Sequence, residues 1–337
     1  MSELQIKKLR NHALHSARTA AAWLSRDGWA WIEMKGADRA DLLHRLTTND
    51  LTKLVPSSGI QTVLLTDKAR IIDVLTVLHG NDSTHLLGSP GLALRIIQWL
   101  RKYVIIDDVR IRDLSSDTHI LEICGPSSGL IVTAMLGVDV STFTLCQWMS
   151  CELGGQTVVV SRLPSISEVS YWIIGPESAI DQVKDTLRAN SEAIPELSMD
   201  EAEYLRVLSG QGAIGHEWTE AYNPLEAGLL HLTSFTKGCY IGQEVVARLD
   251  SYNKVKQRVM GVVSDAPLSV GAVVVADDVP IGVVTSVATS CDGATTYALA
   301  YVRGVHANPD TPIFIRQGDL TIVAGQVLPP MQDVSCL

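Results

Sequence analysis

The amino-acid sequence predicts an α+β protein that ends in a small all-β domain, either a barrel or a sandwich. A chain of 337 residues is longer than one hydrophobic core usually serves, so two or three domains are expected. Before residue 190, a pattern of apolar strand, Gly-Pro turn and helical stretch occurs three times. From Gln257 onward, short β-branched runs alternate with Gly, Asp, Asn and Pro, which is typical of an all-β domain.

The repeated strand-turn-helix patterns lie at residues 86–103, 121–136 and 172–187. In each, Gly permits the turn and Pro suits the first helical turn, where its missing N–H costs little. A further helix is predicted after Ser198, because Ser198 and Glu201 have the spacing of a capping box. We therefore expect related units in an α+β region, followed by a helix that leads to the most unusual part of the sequence.

Composition and charge limit the classes of function. Apolar residues make up 46% of the chain and charged residues 19%, and no apolar run reaches the roughly 18 residues of a membrane span. The net charge of −10 argues against general binding to nucleic acid phosphates. The sequence thus predicts neither a membrane segment nor direct binding of nucleic acid.

The N-terminal segment, residues 1–23, is basic, and Glu3 is its only acidic residue. Two interpretations stay open: a transit peptide, which is typically basic and poor in acidic residues, or an ordinary first helix. A helical stripe of apolar residues and the lack of a small-residue cleavage site favour the helix. The expected location is therefore cytoplasmic.

The densest group of unusual residues is 223–258, and its centre is Cys239, with Gly238 before it and Gly242 after it. These glycines predict a tight turn that presents the thiol. Lys237 and a helix-like segment at 243–249 favour the thiolate, which is the reactive form of cysteine. The alternative is a structural cysteine in a cramped corner, since cysteine is among the most often buried residue types.

Two further features are compatible with a pocket for an anionic heterocycle. Residues 237–258 are basic within an acidic chain, which creates either an anion site or an ordinary solvated surface. Upstream, Arg206 and Glu217 flank a glycine-rich stretch, where a carboxylate can accept paired hydrogen bonds from an amino-heterocycle such as a pterin. By itself, a lone glutamate after glycines is usually a loop residue.

Residues 237–244, K-G-C-Y-I-G-Q-E, resemble the signature of YgfZ-like proteins, a branch of the glycine cleavage T-protein superfamily. Phrases at residues 36–50, 66–73, 103–109 and 224–229 are similar to the same family and occur in the same order. The similarity extends over about residues 12–305. The octapeptide with its cysteine is a specific signal, whereas the other phrases are shared more loosely with the superfamily.

This resemblance implies two α+β domains and a C-terminal small β-barrel around a central channel that binds tetrahydrofolate or a one-carbon derivative. We expect the first domain at residues 1–115, the second with the cysteine motif at 116–255, and the barrel at 256–337, with segments of the first two interleaved. Glu217 matches the glutamate that holds the pterin, and Arg248 is assigned to the folate tail by charge alone. The residues expected to bind the cofactor are Glu217, Tyr240, Gln243, Arg248 and Arg206.

Cys239, Lys237 and Asp73 are the residues expected to act in chemistry, and no metal site is expected. Two positions depart from the family pattern. Ala69 replaces a glycine of the relatives, so a left-handed backbone there is less comfortable. T-protein enzymes carry paired acidic residues where this chain has Asp73 alone, which puts a full aminomethyltransferase mechanism in doubt. Asp73 either binds folate or is an ordinary strand-edge or turn aspartate.

The leading hypothesis is a tetrahydrofolate-binding accessory protein that supports assembly or repair of iron–sulfur clusters in client enzymes, including tRNA-modifying enzymes. Its partners are then folate and these clients or their assembly proteins. One rival is a folate-dependent aminomethyltransferase or demethylase, in which Cys239 is incidental. Another rival is a non-catalytic folate sensor whose binding to a client changes with folate occupancy.

Overall fold

The computed structural model describes residues 12–252, 254–309 and 311–331. Residues 12–19 are helical, and the rest of the predicted first helix and its transit-peptide alternative fall on residues 1–11, outside the described residues. The strands are β1 (Ala22–Ser25), β2 (Ala30–Lys35), β3 (Ser58–Leu65), β4 (Ile71–His79), β5 (Ser83–Gly88), β6 (Arg110–Asp113), β7 (His119–Cys124), β8 (Trp148–Leu153), β9 (Gln156–Arg162), β10 (Ser170–Gly175), β11 (Gln257–Ser264), β12 (Val273–Ala276), β13 (Val279–Thr289), β14 (Thr296–Arg303), β15 (Pro312–Gln317) and β16 (Leu320–Val327). The helices are α1 (Arg39–Leu46), α2 (Ala93–Arg101), α3 (Ser128–Leu136), α4 (Glu177–Arg188), α5 (Met199–Ser209) and α6 (Gln243–Ser251), with 3-10 turns at Ser115–Asp117 and Leu230–Leu232.

The strands form two five-stranded antiparallel sheets and one closed barrel. The first sheet has the order β3-β4-β5-β2-β6 and the second has the order β1-β7-β10-β9-β8. The barrel closes in the order β11-β14-β13-β12-β15-β16, so no edge strand remains in it. The predicted α+β fold with a C-terminal barrel is confirmed, and the sandwich alternative is wrong. The predicted domain boundaries at residues 115 and 255 stay a prediction.

The three strand-turn-helix patterns predicted from sequence are present as β5-α2, β7-α3 and β10-α4. The predicted capping box is also present: the Ser198 side chain accepts from the Glu201 backbone, and Glu201 accepts from the Ser198 backbone. This pairing satisfies free N–H groups at the start of α5. Left-handed Gly210 ends α5 at a fixed point and releases the chain into the loop that follows.

Near its N-terminal end, between β1 and β2, the chain passes from the second sheet to the first. Strand β1 pairs with β7 through Ala22 and Cys124, whereas β2 pairs with β5. Residues 26–29 are therefore the crossing between the two sheets. As a result, the second sheet includes a strand that precedes the whole first sheet in the sequence.

Two buried clusters join the parts of the molecule. One lies between the sheets and includes Trp31, Trp148 and Trp172. The other brings Val63 of the first sheet and Tyr301 of the barrel together with Trp218 of the loop after α5. Because burial of large apolar side chains is the main favourable term in folding, these contacts fix the region where the three parts meet. In the described part of the chain, no helix is both long and apolar enough to cross a membrane.

Candidate functional site

A cavity of about 770 Å³ lies where the first sheet, the loops after α5 and the barrel meet. This volume falls within the range of about 300–1,000 Å³ that is usual for small-molecule sites. Apolar wall residues include Val74, Leu229 and Met260. Polar and charged wall residues are Gln61, Ser165, Ser209, Gln211, Trp218, Glu226, His231, Asp250 and Arg258. The cavity thus combines a largely apolar lining with a small number of charged groups.

Glu226 is the buried carboxylate on this wall, only 4% exposed, whereas the other wall carboxylate, Asp250, is exposed. It accepts a hydrogen bond from the Asn223 backbone at 3.1 Å, and the Arg70 guanidinium lies 3.8 Å away. Burial raises the pKa of Glu226, against the lowering effect of the Asn223 N–H and the Arg70 charge. A buried carboxylate at a cavity wall is suited to accept hydrogen bonds from a ligand amine.

Glu217 is fully buried and its carboxylate receives four donors from the protein. One oxygen accepts from Arg206 at 3.1 Å and from the Ala213 backbone at 3.2 Å. The other accepts from the hydroxyls of Thr285 at 2.5 Å and Ser286 at 2.8 Å. Glu217 is therefore already saturated by protein groups, and it does not lie on the cavity wall.

Thr285 and Ser286 reach the same oxygen because β13 carries a bulge between Val284 and Ser286. In a regular strand, neighbouring side chains point to opposite faces. An extra residue in a bulge re-aims one side chain, so two consecutive hydroxyls can face one carboxylate. The bulge thereby ties the barrel to the loop that contains Glu217.

Arg206 completes this buried network. Its guanidinium donates to Glu217, to both oxygens of Glu203, to the Gln211 carbonyl and to the Ser286 hydroxyl. Burial lowers the pKa of Arg206, but the bond to Glu203 and the charge of Glu217 outweigh it and raise the pKa overall. Arg206 does not line the cavity, but its hydrogen bond to the Gln211 carbonyl holds a residue of the cavity wall in place.

Lys237 holds the loop of residues 234–242, which we call the Cys239 loop, against α1. Its ammonium donates to the carbonyls of His44 at 2.5 Å, Thr47 at 2.8 Å and Asn49 at 2.7 Å. These carbonyls lie at and just beyond the C-terminal end of α1, where backbone acceptors lack helical partners and a cation is favoured. All three N–H donors of Lys237 are used, and the ammonium lies 5.2 Å from the centre of the Tyr240 ring.

Cys239 itself is an exposed free thiol. Around it, the loop is fixed by backbone bonds from Ile241 to Arg45 and from Ser234 to Thr48. Gly242 has φ +86°, and a Cβ there would lie 3.0 Å from the Thr66 carbonyl and 3.1 Å from the Ala69 Cα. Glycine is therefore required at 242, both for its left-handed backbone and for close approach to the turn at residues 66–70.

Ala69 occupies that turn with φ +55° and is fully buried. Ala69 thus adopts the left-handed backbone that is less comfortable for alanine than for the glycine of the relatives. A left-handed conformation at a residue with a Cβ costs about 1 kcal/mol or more. The strain lies directly under the Cys239 loop.

Asp73 in β4 is completely buried. It accepts hydrogen bonds from the Val74 backbone, the Ser89 backbone and the Ser89 hydroxyl at 2.6–2.8 Å. Burial raises the pKa of Asp73 to about 6, although these bonds oppose the shift. Its neighbour Val74 lies on the cavity wall, whereas Asp73 fastens the end of β5.

The remaining predicted residues lie around the Cys239 loop. Tyr240 is buried, and burial raises its pKa to about 12. Gln243 is half-buried at the start of α6, and Arg248 is exposed on the same helix. The structure thus brings Lys237, Cys239, Tyr240 and Gln243 together, and separately pairs Arg206 with Glu217. The eight predicted residues are not among those that line the cavity, and their assigned roles stay predictions.

Sequence reasoning did not assign the charged cavity residues Glu226, Asp250 and Arg258 to the site. Glu226 lies within the phrase at 224–229 that resembles the family, and Arg258 ends the basic window, so both signals were present. In the described part of the chain, no group of three or more His, Cys, Asp or Glu residues is arranged to hold a metal ion.

Comparison with known proteins identifies two matching family models. The GCVT N-terminal domain matches residues 5–237, and the glycine cleavage T-protein C-terminal barrel domain matches residues 256–333. A putative chloroplastic transferase of Arabidopsis thaliana is 32% identical over 273 residues, which cover 81% of this chain and 63% of that protein. An aminomethyltransferase of Chlorobium luteolum is 26% identical over 240 residues, which cover 70% of this chain and 66% of that protein.

The chain therefore spans somewhat less than two thirds of each of these two relatives. The crystal structure of the glycine cleavage system aminomethyltransferase T from Bartonella henselae has the same fold, with a TM-score of 0.85 over 96% of this chain and 88% of that chain, at 21% identity. Since the N-terminal family model covers most of the sequence and the barrel model covers the closed six-stranded barrel, this chain belongs to the glycine cleavage T-protein family.

Proposed function

We propose that this chain is a YgfZ-like member of the family: a tetrahydrofolate-binding accessory protein that supports assembly or repair of iron–sulfur clusters in client enzymes, including tRNA-modifying enzymes. The observation that carries the proposal is the exposed thiol of Cys239 on a loop clamped by Lys237, apart from the cavity wall. A protein that only transferred a carbon unit inside its cavity would have no need to present a thiol to solvent.

The chemistry of the cavity wall supports folate as the proposed ligand. Tetrahydrofolate has a heterocycle with amine donors and a tail that ends in carboxylates, so it needs an acceptor, a cation and apolar surface. Glu226 supplies the acceptor, Arg258 the cation, and residues such as Leu229 and Met260 the apolar wall. When bound, tetrahydrofolate can carry a one-carbon unit. The residues of the chain would bind and orient it, and the network around Glu217 and Arg206 would hold the wall in shape.

A single thiol can serve as one ligand to a cluster, whereas a stable iron–sulfur cluster usually takes about four cysteines. Cys239 therefore suits a transient or shared contact with a cluster component or reactive adduct of the client. The fixed backbone of the Cys239 loop presents the thiol in one position, which favours docking against a partner.

The test has two parts. Tetrahydrofolate binding is measured by calorimetry for the wild type, Glu226→Gln, Glu217→Ala and Cys239→Ala, and the activity of an iron–sulfur client is then measured in cells carrying each variant. We expect Glu226→Gln to weaken folate binding about tenfold or more, since a charged hydrogen-bond partner contributes about 1.5–3 kcal/mol. Cys239→Ala should bind folate normally and fail to support the client. A wild type that binds no folate, or a Cys239→Ala variant that fully supports the client, would refute the proposal.

A second candidate, a folate-dependent aminomethyltransferase, is favoured by the names of several relatives at 23–26% identity. Its chemistry requires an aspartate that reaches the amine, yet Asp73 is fully buried and already bonded to Ser89 and Val74. The discriminating assay gives the protein an aminomethylated carrier and tetrahydrofolate. Turnover that survives Cys239→Ser would favour the aminomethyltransferase over the accessory protein.

A further inference from the structure

Residues 104–109, which we call the tip, belong to the turn between α2 and β6. In the tip, Ile105 is 85% exposed and Ile106 is 95% exposed, the highest values among the large apolar side chains of the described residues. Single exposed apolar side chains are common on protein surfaces, whereas adjacent ones that gain nothing from the core are typical of a surface that binds a partner.

Hydrogen bonds hold the tip in a fixed shape. The Asp107 carboxylate accepts from the Ile105 backbone at 3.3 Å. The Asp108 backbone donates to the Asp38 carboxylate at 2.7 Å, and the Asp108 carboxylate accepts from the Ala37 backbone at 3.1 Å. The two isoleucines thus stand on a preformed turn, so little loss of chain freedom opposes their binding to a partner.

The tip adjoins the Cys239 loop through Arg45. The Arg45 guanidinium pairs with Asp107, and the Arg45 carbonyl accepts from the Ile241 backbone at 3.2 Å. Val104 of the tip and Ile241 of the loop also pack against the same buried cluster. A partner seated on the tip would therefore lie beside the loop that presents the thiol.

The exposed charges at the base of the tip are positive. Arg101, Lys102 and Arg110 are exposed, and Arg101 donates to the Ile111 carbonyl at 3.1 Å, which draws the two ends of the turn together. The two carboxylates of the tip are instead bonded within the fold, one to a guanidinium and one to a backbone N–H. On a chain with a net charge of −10, this local reversal of charge favours an acidic partner.

We propose that the tip is a docking element for the client protein: Ile105 and Ile106 enter an apolar depression on the client, and the cations at the base of the tip face acidic residues around it. The inference deepens the proposed function and rests on it, because that function requires a protein client beside Cys239. Nucleic acid phosphates would leave the isoleucines unburied. A membrane is disfavoured because the two side chains have fewer carbons than one myristoyl chain, which alone gives only marginal binding to a bilayer.

The experiment measures binding of the purified iron–sulfur client, the same enzyme whose activity is followed in cells, to the immobilised full-length chain. The tip variant has Ile105→Ser with Ile106→Ser, and the control has Val305→Ser with Val323→Ser, two exposed apolar side chains elsewhere. Because all four side chains are exposed, both variants should fold and bind tetrahydrofolate like the wild type. We expect the tip variant to bind the client at least about tenfold more weakly, since it lacks the apolar anchors, and the control to bind it normally.

The charge of the partner is tested separately. Arg110→Glu should slow association with the client, and added NaCl should weaken binding by the wild type, because salt screens exposed charges. Equal affinity of the tip variant and the wild type for the client, or wild-type binding that salt does not weaken, overturns the inference. So does a tip variant that keeps the client but loses binding to transfer RNA or to phosphatidylglycerol vesicles, since the tip then serves another class of partner.

The two proposals fail in different ways. If Cys239→Ala cannot support the client in cells while the tip variant binds the client normally, the inference is overturned and the proposed function stands. If Cys239→Ala fully supports the client, the proposed function fails, and the docking role that rests on it fails too.

Discussion

The cavity wall and the Cys239 loop differ in whether their buried N–H donors have hydrogen-bond partners. Under the loop, each N–H donor of Lys237 has a carbonyl partner. On the wall, the Trp218 indole N–H has no partner in the described residues. Since unpaired buried polar groups are costly, the full pairing of Lys237 marks a structural clamp. The motif-rich loop is thus clamped to α1, whereas the cavity wall lies in less conspicuous sequence.

The largest expected effect comes from Glu217, which supports the wall without lining the cavity. Glu217→Gln removes the charge that pairs with buried Arg206, and breaking a buried pair costs about 3–5 kcal/mol. Urea unfolding should show this loss of stability. Glu203→Gln is the control, because Glu203 bonds the same guanidinium but its side chain is 40% exposed; it should lose less than about 1 kcal/mol. Equal losses in both variants would mean that burial does not set the strength of this network.

Lys237→Met tests the clamp. The change leaves carbonyls at the end of α1 without their donor, and each such group costs about 1–3 kcal/mol, so we expect a loss of about 3 kcal/mol in the free energy of unfolding. The exposed Lys53→Met variant is the control and should change stability by less than about 0.5 kcal/mol. If Lys237→Met is as stable as the control, the clamp contributes nothing, and Lys237 returns to the chemical role predicted from the sequence.

Asp73 gives a pH test of a group next to the wall. Its pKa of about 6 in the folded chain lies above the ordinary aspartate value of 3.8, so its contribution to stability is complete below pH 4 and is lost as the pH rises through 6. The loss amounts to about 3 kcal/mol at neutral pH. The free energy of unfolding of the wild type, relative to that of Asp73→Asn, should therefore fall between pH 4 and pH 7. A constant difference across that range would show that Asp73 is not destabilised by burial.

The smallest expected effect is at Ala69, the strained position under the clamp. Ala69→Gly relieves a left-handed alanine at φ +55° but removes a buried methyl group, so we expect a gain of at most about 1 kcal/mol. Ala298→Gly in β14 is the control, because it removes a buried methyl without relieving strain, and it should lose about 1 kcal/mol. Thermal unfolding measures the stability of both variants. A similar loss of stability in both would show that the backbone at Ala69 is not strained.

Local signals were readable from the sequence. The capping box at Ser198 and the Gly-Pro turns before α2, α3 and α4 follow from neighbouring residues. An all-β C-terminal domain followed from the change in composition at Gln257, whereas its closure as a barrel was implied by the family resemblance. Such features depend on short-range chemistry, which a single sequence contains in full.

The cavity wall was not readable in this way. It combines Gln61, Trp218 and Arg258 with residues as far along the chain as Pro329. Nothing in the sequence near Glu217 and Glu226 reveals that the first meets a bulge in the barrel while the second meets the cavity. That distinction arises only from tertiary packing, which also gives Lys237 its three carbonyl partners.

The crossing between the two sheets has a consequence for biosynthesis. Ala22 in β1 must find Cys124 in β7, a residue 102 positions later, so β1 leaves the ribosome well before its partner strand exists. All five strands of the first sheet are made in the interval. During that time β1 is an unpaired strand that can join another chain. Shortened forms that end near residue 115 would keep this liability permanently, so the two sheets should be expressed and handled together.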